Sequence, residues 1–90
     1  MWIKSTNGEC YNLAHTRKLF VQRGAQGTFD SKIHLTVLGE NNNYSDLAVI
    51  SLHDFSDEEA MATMTGYLND ITNALAAGKE YIELPQVDEW

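Results

Sequence analysis

Residues 56–78, SDEEAMATMTGYLNDITNALAAG, decide the fold: they read as one long amphipathic helix, and what precedes them reads as strands and turns. Ser56 is a good N-cap, and Glu59 follows at the spacing of a capping box. Phe55 and Ala60 occupy the staple positions around that cap. Asp57, Glu58 and Glu59 set negative charge against the positive end of the helix dipole. Met61, Met64, Leu68, Ile71 and Leu75 recur at alternating steps of three and four, which keeps them on one face. Ala60, Tyr67 and Ala74 widen that stripe. Gly78 supplies the left-handed residue that ends many helices, and Lys79 follows near the negative end. The pattern predicts a helix over 57–77. At about 1.5 Å per residue it is roughly 30 Å long, enough to cross a small sheet.

Upstream, hydrophobicity alternates with period two. Residues 2–6 carry Trp, Ile and Thr and read as a strand. Asn7-Gly8 is the strongest hairpin signal in the chain, and it returns an antiparallel partner over 9–13. A short turn or bulge at Ala14-His15-Thr16 precedes a third strand over 17–23, centred on Leu19, Phe20 and Val21. Gly24 to Gly27 is a glycine-bounded loop. Residues 31–39 are the clearest strand: Ile33, Leu35 and Val37 point one way, and Lys32, His34 and Thr36 point to a wetter face. After the Asn41-Asn42-Asn43 turn, a strand over 46–53 contains the nearly all-apolar run Leu47 to Leu52. That run implies cover on both faces, in mid-sheet or under the helix. Residues 81–84 form a candidate sixth strand, stopped by Pro85 and confined to an edge. The expected architecture is α+β: one antiparallel sheet of four to six strands, with the C-terminal helix packed across one face. Ile33, Leu35, Val37, Ile50 and Leu52 are expected to meet the Met61–Leu75 stripe.

Ninety residues suit a single domain spanning 1–90, with one thin core. No apolar run approaches the roughly 20 residues that span a bilayer. The first residues lack the pattern of a signal peptide. Cys10 is the only cysteine, so no internal disulfide forms. These features set a cytoplasmic location as the expectation, and Asn43-Tyr44-Ser45 then reads as a chance sequon. The net charge is −7. It is unevenly spread: residues 1–38 hold five bases against two acids, +3, and residues 39–90 hold one base against eleven acids, −10. The plain reading is attraction between the two halves within one domain.

The back of the helix is unusual. Ala62, Gly66, Asn69, Asn73 and Ala76 lie opposite the apolar stripe, and Asp70 is the only charge from Ala60 to Ala77. Exposed helix faces ordinarily carry Lys, Glu and Arg. Gly66 costs about 1 kcal/mol against Ala in a helix interior. A small, neutral face fits close packing on another backbone, most simply across a two-fold axis in a homodimer. The plainer reading is a neutral face in water. Trp90 is a second candidate interface residue, because aromatic anchors dominate interfaces; Trp2 reads as core.

Chemistry is thinly signalled. His15, His34 and His53 fall beside separate strands, but no metal-ligand spacing links them. A site of His34, His53 and Asp54 is conceivable; ordinary strand histidines are the simpler reading. Cys10 with His15 or His34 lacks any nucleophile signature. Gly24-Ala25-Gln26-Gly27 lacks the Lys and Ser/Thr of a phosphate loop. No cofactor is implied. Arg17, Lys18, Arg23 and Lys32, with Tyr11 and Phe20 between them, sketch a basic sheet face with aromatic platforms for nucleic acid. The overall acidity counts against that partner, and edge charges that deter aggregation explain the same residues.

Met1-Trp2-Ile3-Lys4-Ser5-Thr6, Gly8, Asn12-Leu13 and Leu19-Phe20-Val21 together resemble the opening of short uncharacterised bacterial and phage proteins. These begin M-W-I-[RK]-T and continue through a glycine turn to an N-L strand. Here Ser5 stands before the threonine. The likeness covers about the first quarter of the chain and implies a fold pattern, with no activity attached. The reading that remains is a small, non-catalytic interaction protein that associates with itself. Its rivals are a weak nucleic-acid or regulatory binder and a small enzyme with an unrecognised pocket.

Overall fold

A computed structural model describes residues 1–24, 32–52 and 56–86. The chain is α+β, with two three-stranded sheets and one C-terminal helix. In chain order the elements are β1 (Trp2–Lys4), β2 (Cys10–Asn12), β3 (Thr16–Arg23), β4 (Lys32–Gly39), β5 (Tyr44–Ser51), α1 (Asp57–Ala76) and β6 (Tyr81–Glu83).

The single sheet expected from the sequence is instead divided. The small sheet has the order β2-β1-β6 and the larger one β3-β4-β5. The break falls at Leu13–His15, a 3-10 turn capped by Asn12, whose side chain accepts from the Ala14 N–H at 3.0 Å. That turn ends β2 after three residues and redirects the chain into β3. All pairings are antiparallel except β1 with β6, where the return through α1 brings the chain back in the same direction. β6 lies at an edge, as Pro85 requires.

The Asn7-Gly8 signal does make the β1–β2 hairpin. Gly8 adopts a φ of +92°, its N–H donates to Ser5 O at 3.0 Å, and Ser5 N–H donates to Glu9 O at 2.7 Å. Only glycine takes that backbone conformation without a steric penalty.

β4 is the middle strand of the larger sheet, and its register assigns the faces. Leu19 and Val21 of β3, Ile33, Leu35 and Val37 of β4, and Ala48 and Ile50 of β5 share one face. α1 lies on it. The apolar run Leu47–Leu52 belongs to β5, at a sheet edge rather than in the middle. Leu47 is still fully buried, because a β-bulge between Leu35 and Thr36 turns the strand there and Thr6 crosses onto it. The Thr6 N–H and hydroxyl both donate to Leu47 O, at 2.9 and 3.3 Å. This contact ties the small sheet to the outer edge of the large one.

The helix is set as its caps dictate. Ser56 Oγ accepts from Glu59 N–H at 3.2 Å. At the other end Gly78 N–H donates to Leu75 O and Lys79 N–H to Ala74 O, with Gly78 at φ +72°, a Schellman ending. Its buried face lies within the expected stripe but is narrower, without the Met61 and Leu75 edge. Ala60, Met64, Ile71 and Ala74 are buried, whereas Met61 is 41% exposed and Leu75 48% exposed. Ala60 and Ala74 let the helix backbone approach the sheet closely, so the helix turns its small residues inward at both ends. Met61 and Leu75 are left on its flank, with Leu68 half-buried between them. The core joins Ile3 and Leu84 of the small-sheet side to Ile33, Leu35, Val37, Leu47, Met64 and Ile71.

Candidate interaction surface

Three surfaces carry unusual chemistry: the flank of α1 with the edge of β3, the face of the larger sheet away from α1, and a cleft beside Tyr11.

Among the described residues β3 pairs with β4 only, so no described strand lies along its other edge. α1 runs antiparallel to β3 above that edge. At one end Arg23 Nη1 lies 2.7 Å from Asp57 Oδ2 in the first turn of the helix. At the other end Leu75 overhangs Leu13, Thr16, Arg17, Lys18 and Leu19, which line a groove of about 220 Å³. Met61, Leu68 and Leu75 recur every seven residues, so they form a seam along the β3 side of the helix. The helix back lies further round: Ala62, Gly66, Asn69, Asn73 and Ala76 are all exposed, and a Cβ added at Gly66 meets no atom within 4 Å. Trp90 lies outside the described residues. Trp2, expected in the core, is 51% exposed, because the alternation of β1 gives its buried position to Ile3.

The basic residues do not form one patch. Arg17 donates to Asn42 Oδ1 in the β4–β5 turn. Lys18 sits 4.9 Å over the Phe20 ring. Arg23 is held at the helix start. Lys32 is half-buried at the far end of β4, six residues or roughly 20 Å along the sheet from the partner of Lys18.

On the sheet face away from the helix, His34 and Thr36 are 5% and 1% exposed, not the wet pair the alternation implies. Their polar atoms are satisfied in a row. Gln22 Nε2 donates to Thr36 Oγ1 at 3.1 Å, and Thr36 Oγ1 donates to Asp46 Oδ1 at 2.9 Å. His34 Nδ1 lies 3.0 Å from Asp46 Oδ2. A carboxylate only accepts, so Nδ1 carries the hydrogen. Buried polar groups persist where each has a partner. Phe20 and Tyr44 close over this face edge to face, with centroids 6.3 Å apart. Sequence reasoning missed this network; its one signal was Asp46, a lone carboxylate leading into an apolar run.

The histidines stay apart. His15 pairs loosely with Glu40 at 3.7 Å, on the opposite side of the larger sheet's turn from His34. Cys10 is exposed on β2. His53 and Asp54 lie outside the described residues, as does the loop 25–27. Among the described residues no group of three or more His, Cys, Asp or Glu is placed to hold a metal ion.

The cleft of about 380 Å³ runs between Tyr11, Asn12 and His15 on one side and Gly39, Glu40, Asn41, Asn43 and Ser45 on the other. Burial, together with the hydrogen bond its hydroxyl donates to Glu9 Oε2 at 2.6 Å, pushes the Tyr11 phenol up to about 12. The cleft is polar and open, and its amides are partly spent: Asn12 and Asn41 accept from Ala14 N–H and Asn43 N–H.

These features define a small α+β protein with an apolar, charge-poor helix flank beside an open sheet edge. Comparison with protein-family models, curated proteins and solved structures finds no match for the chain. No described helix is long and apolar enough to cross a membrane.

Proposed function

We propose that this chain is a small, non-catalytic interaction module that acts by associating with itself. The observation that carries the reading is the outer surface of α1. Met61 and Leu75 stand 41% and 48% exposed there, and Asp70 is the only charge from Ala60 to Ala77. Large apolar side chains exposed together on a surface that lacks charge are typical of contact sites. A cytoplasmic setting, in which the lone exposed Cys10 stays reduced, belongs to the same reading.

Light scattering on a sizing column tests it. The expected result is a mass of twice 10.1 kDa at tens of micromolar protein, falling toward one copy on dilution. A single-copy mass at every concentration would sink the proposal.

A nucleic-acid reading draws support only from Lys18 beside Phe20 and Tyr44 on the sheet face away from α1. An enzyme reading draws on the Asp46–His34 pair, an orientation used in triads. Neither has the convergent groups that the chemistry needs among the described residues.

A further inference from the structure

Resting on that reading, we infer that the association surface is the β3 edge together with the Met61–Leu68–Leu75 seam, and that its occupant is a second copy in antiparallel, two-fold contact. The helix back is then not the interface.

β3 offers an unshared edge among the described residues, and strand addition supplies a row of main-chain hydrogen bonds. Opposed residues in an antiparallel pair share a face. A strand pairing with its own copy therefore meets this rule only when the two-fold axis passes through a residue, not between two. With the axis at Phe20, Leu19 of each copy faces Val21 of the other on the helix side. Lys18 then faces Gln22 on the outer side. The central stretch Leu19–Phe20–Val21–Gln22 carries no charge, so the usual edge defence by lysine is missing there.

Charge then selects the occupant. Arg17 and Lys18 lie at the start of β3, beside Leu75. The acidic first turn of α1, Asp57, Glu58 and Glu59, lies at the other end, beside Arg23. An antiparallel two-fold contact brings Arg17 of each copy opposite Arg23 of the other, at an end where Asp57, Glu58 and Glu59 outnumber that one base, twice over. A parallel arrangement would set like against like. The same operation lays the two apolar seams together, Met61 toward Leu75 of the partner, and covers both of the large apolar side chains that α1 leaves exposed. The two helices then run antiparallel, which also opposes their dipoles. The product is a continuous six-stranded sheet with two helices on one face. The helix back remains in water, in keeping with the empty space around Gly66.

The experiment measures the dissociation constant by sedimentation for wild type and four variants, each checked for folding by circular dichroism. Leu75→Arg, and Met61→Arg as a second exposed site, should give folded monomers. Gly66→Arg should leave the constant unchanged. Arg17→Glu, at the end of β3 that meets the helix start of the other copy, should weaken the dimer at least tenfold. A wild-type monomer would overturn both this inference and the self-association it rests on. A dimer that survives Leu75→Arg and Met61→Arg, or that yields to Gly66→Arg, would overturn the edge alone and leave self-association standing. An Arg17→Glu dimer as tight as wild type would overturn the antiparallel arrangement.

Discussion

Tyr11 shows how one residue's surroundings become a pH dependence. Its phenol is raised to about 12, first by burial and then by the Glu9 carboxylate that accepts its hydrogen. The folded chain therefore holds this proton more tightly than the unfolded chain does. Stability from this source is complete below pH 10, the unfolded value, and drains away as the pH climbs from 10 to 12. Glu9→Gln should move the Tyr11 transition down toward 10. The check is an ultraviolet titration of tyrosinate, with Tyr11→Phe subtracted to remove the other tyrosines. At Asp46 the relevant quantity is the cost of a lost acceptor. Asp46→Ala strips Thr36 and the His34 Nδ1 of their shared partner, and should cost about 1–3 kcal/mol in urea unfolding. Gln22→Ala should cost less, since Gln22 only donates into the row from its outer end.

At the scale of elements, the caps of α1 were legible, and its buried face was legible except for one edge. Ser56, the three acids and Gly78 are local signals that act through backbone geometry, and the helix begins and ends within a residue of where they place it. The capping serine also donates to Glu59 Oε1 at 3.1 Å, a side-chain variant of the reciprocal box. Ser56→Ala should cost about 1 kcal/mol, read from the thermal midpoint. Periodicity took in Ala60 and Ala74 but extended the stripe to Met61 and Leu75, because hydropathy rewards long side chains whether or not the sheet reaches them. The same limit hid the face of β4. Alternation marked His34 and Thr36 as wet, but their partners come from β3 and β5, and no local pattern carries a cross-strand hydrogen bond. The division into two sheets turned on the three residues Leu13–His15, which look like an ordinary turn in the chain. Gly66 gives a direct test at this scale. With open space around it, Gly66→Ala should stabilise the protein by about 0.5–1 kcal/mol through helix propensity. Destabilisation would mean that something rests against that position.

For the whole molecule, the candidate surface was only half legible. The lack of charge on the helix was visible in sequence and drew attention to its back. The flank that combines exposed apolar side chains with a strand edge that no other described strand shares depends on where β3 falls in the sheet order, a long-range fact. Self-association also predicts a thermal midpoint that rises with concentration, because mass action favours the folded dimer. Scanning calorimetry at 5 and 500 µM protein, on the order of a hundredfold span, should separate the midpoints by several degrees. Leu75→Arg should remove the separation.

The parallel alignment of β1 with β6 joins strands about 80 residues apart, with Trp2 opposite Tyr81 and Lys4 opposite Glu83. Force applied at residue 2 and at residue 84 would pull these strands lengthwise past one another. Every bond between them would bear load at once, as in a lap joint, where an antiparallel pair held from one end would peel. A sheet only three residues long at this seam thus acts as a mechanical clasp on the whole chain.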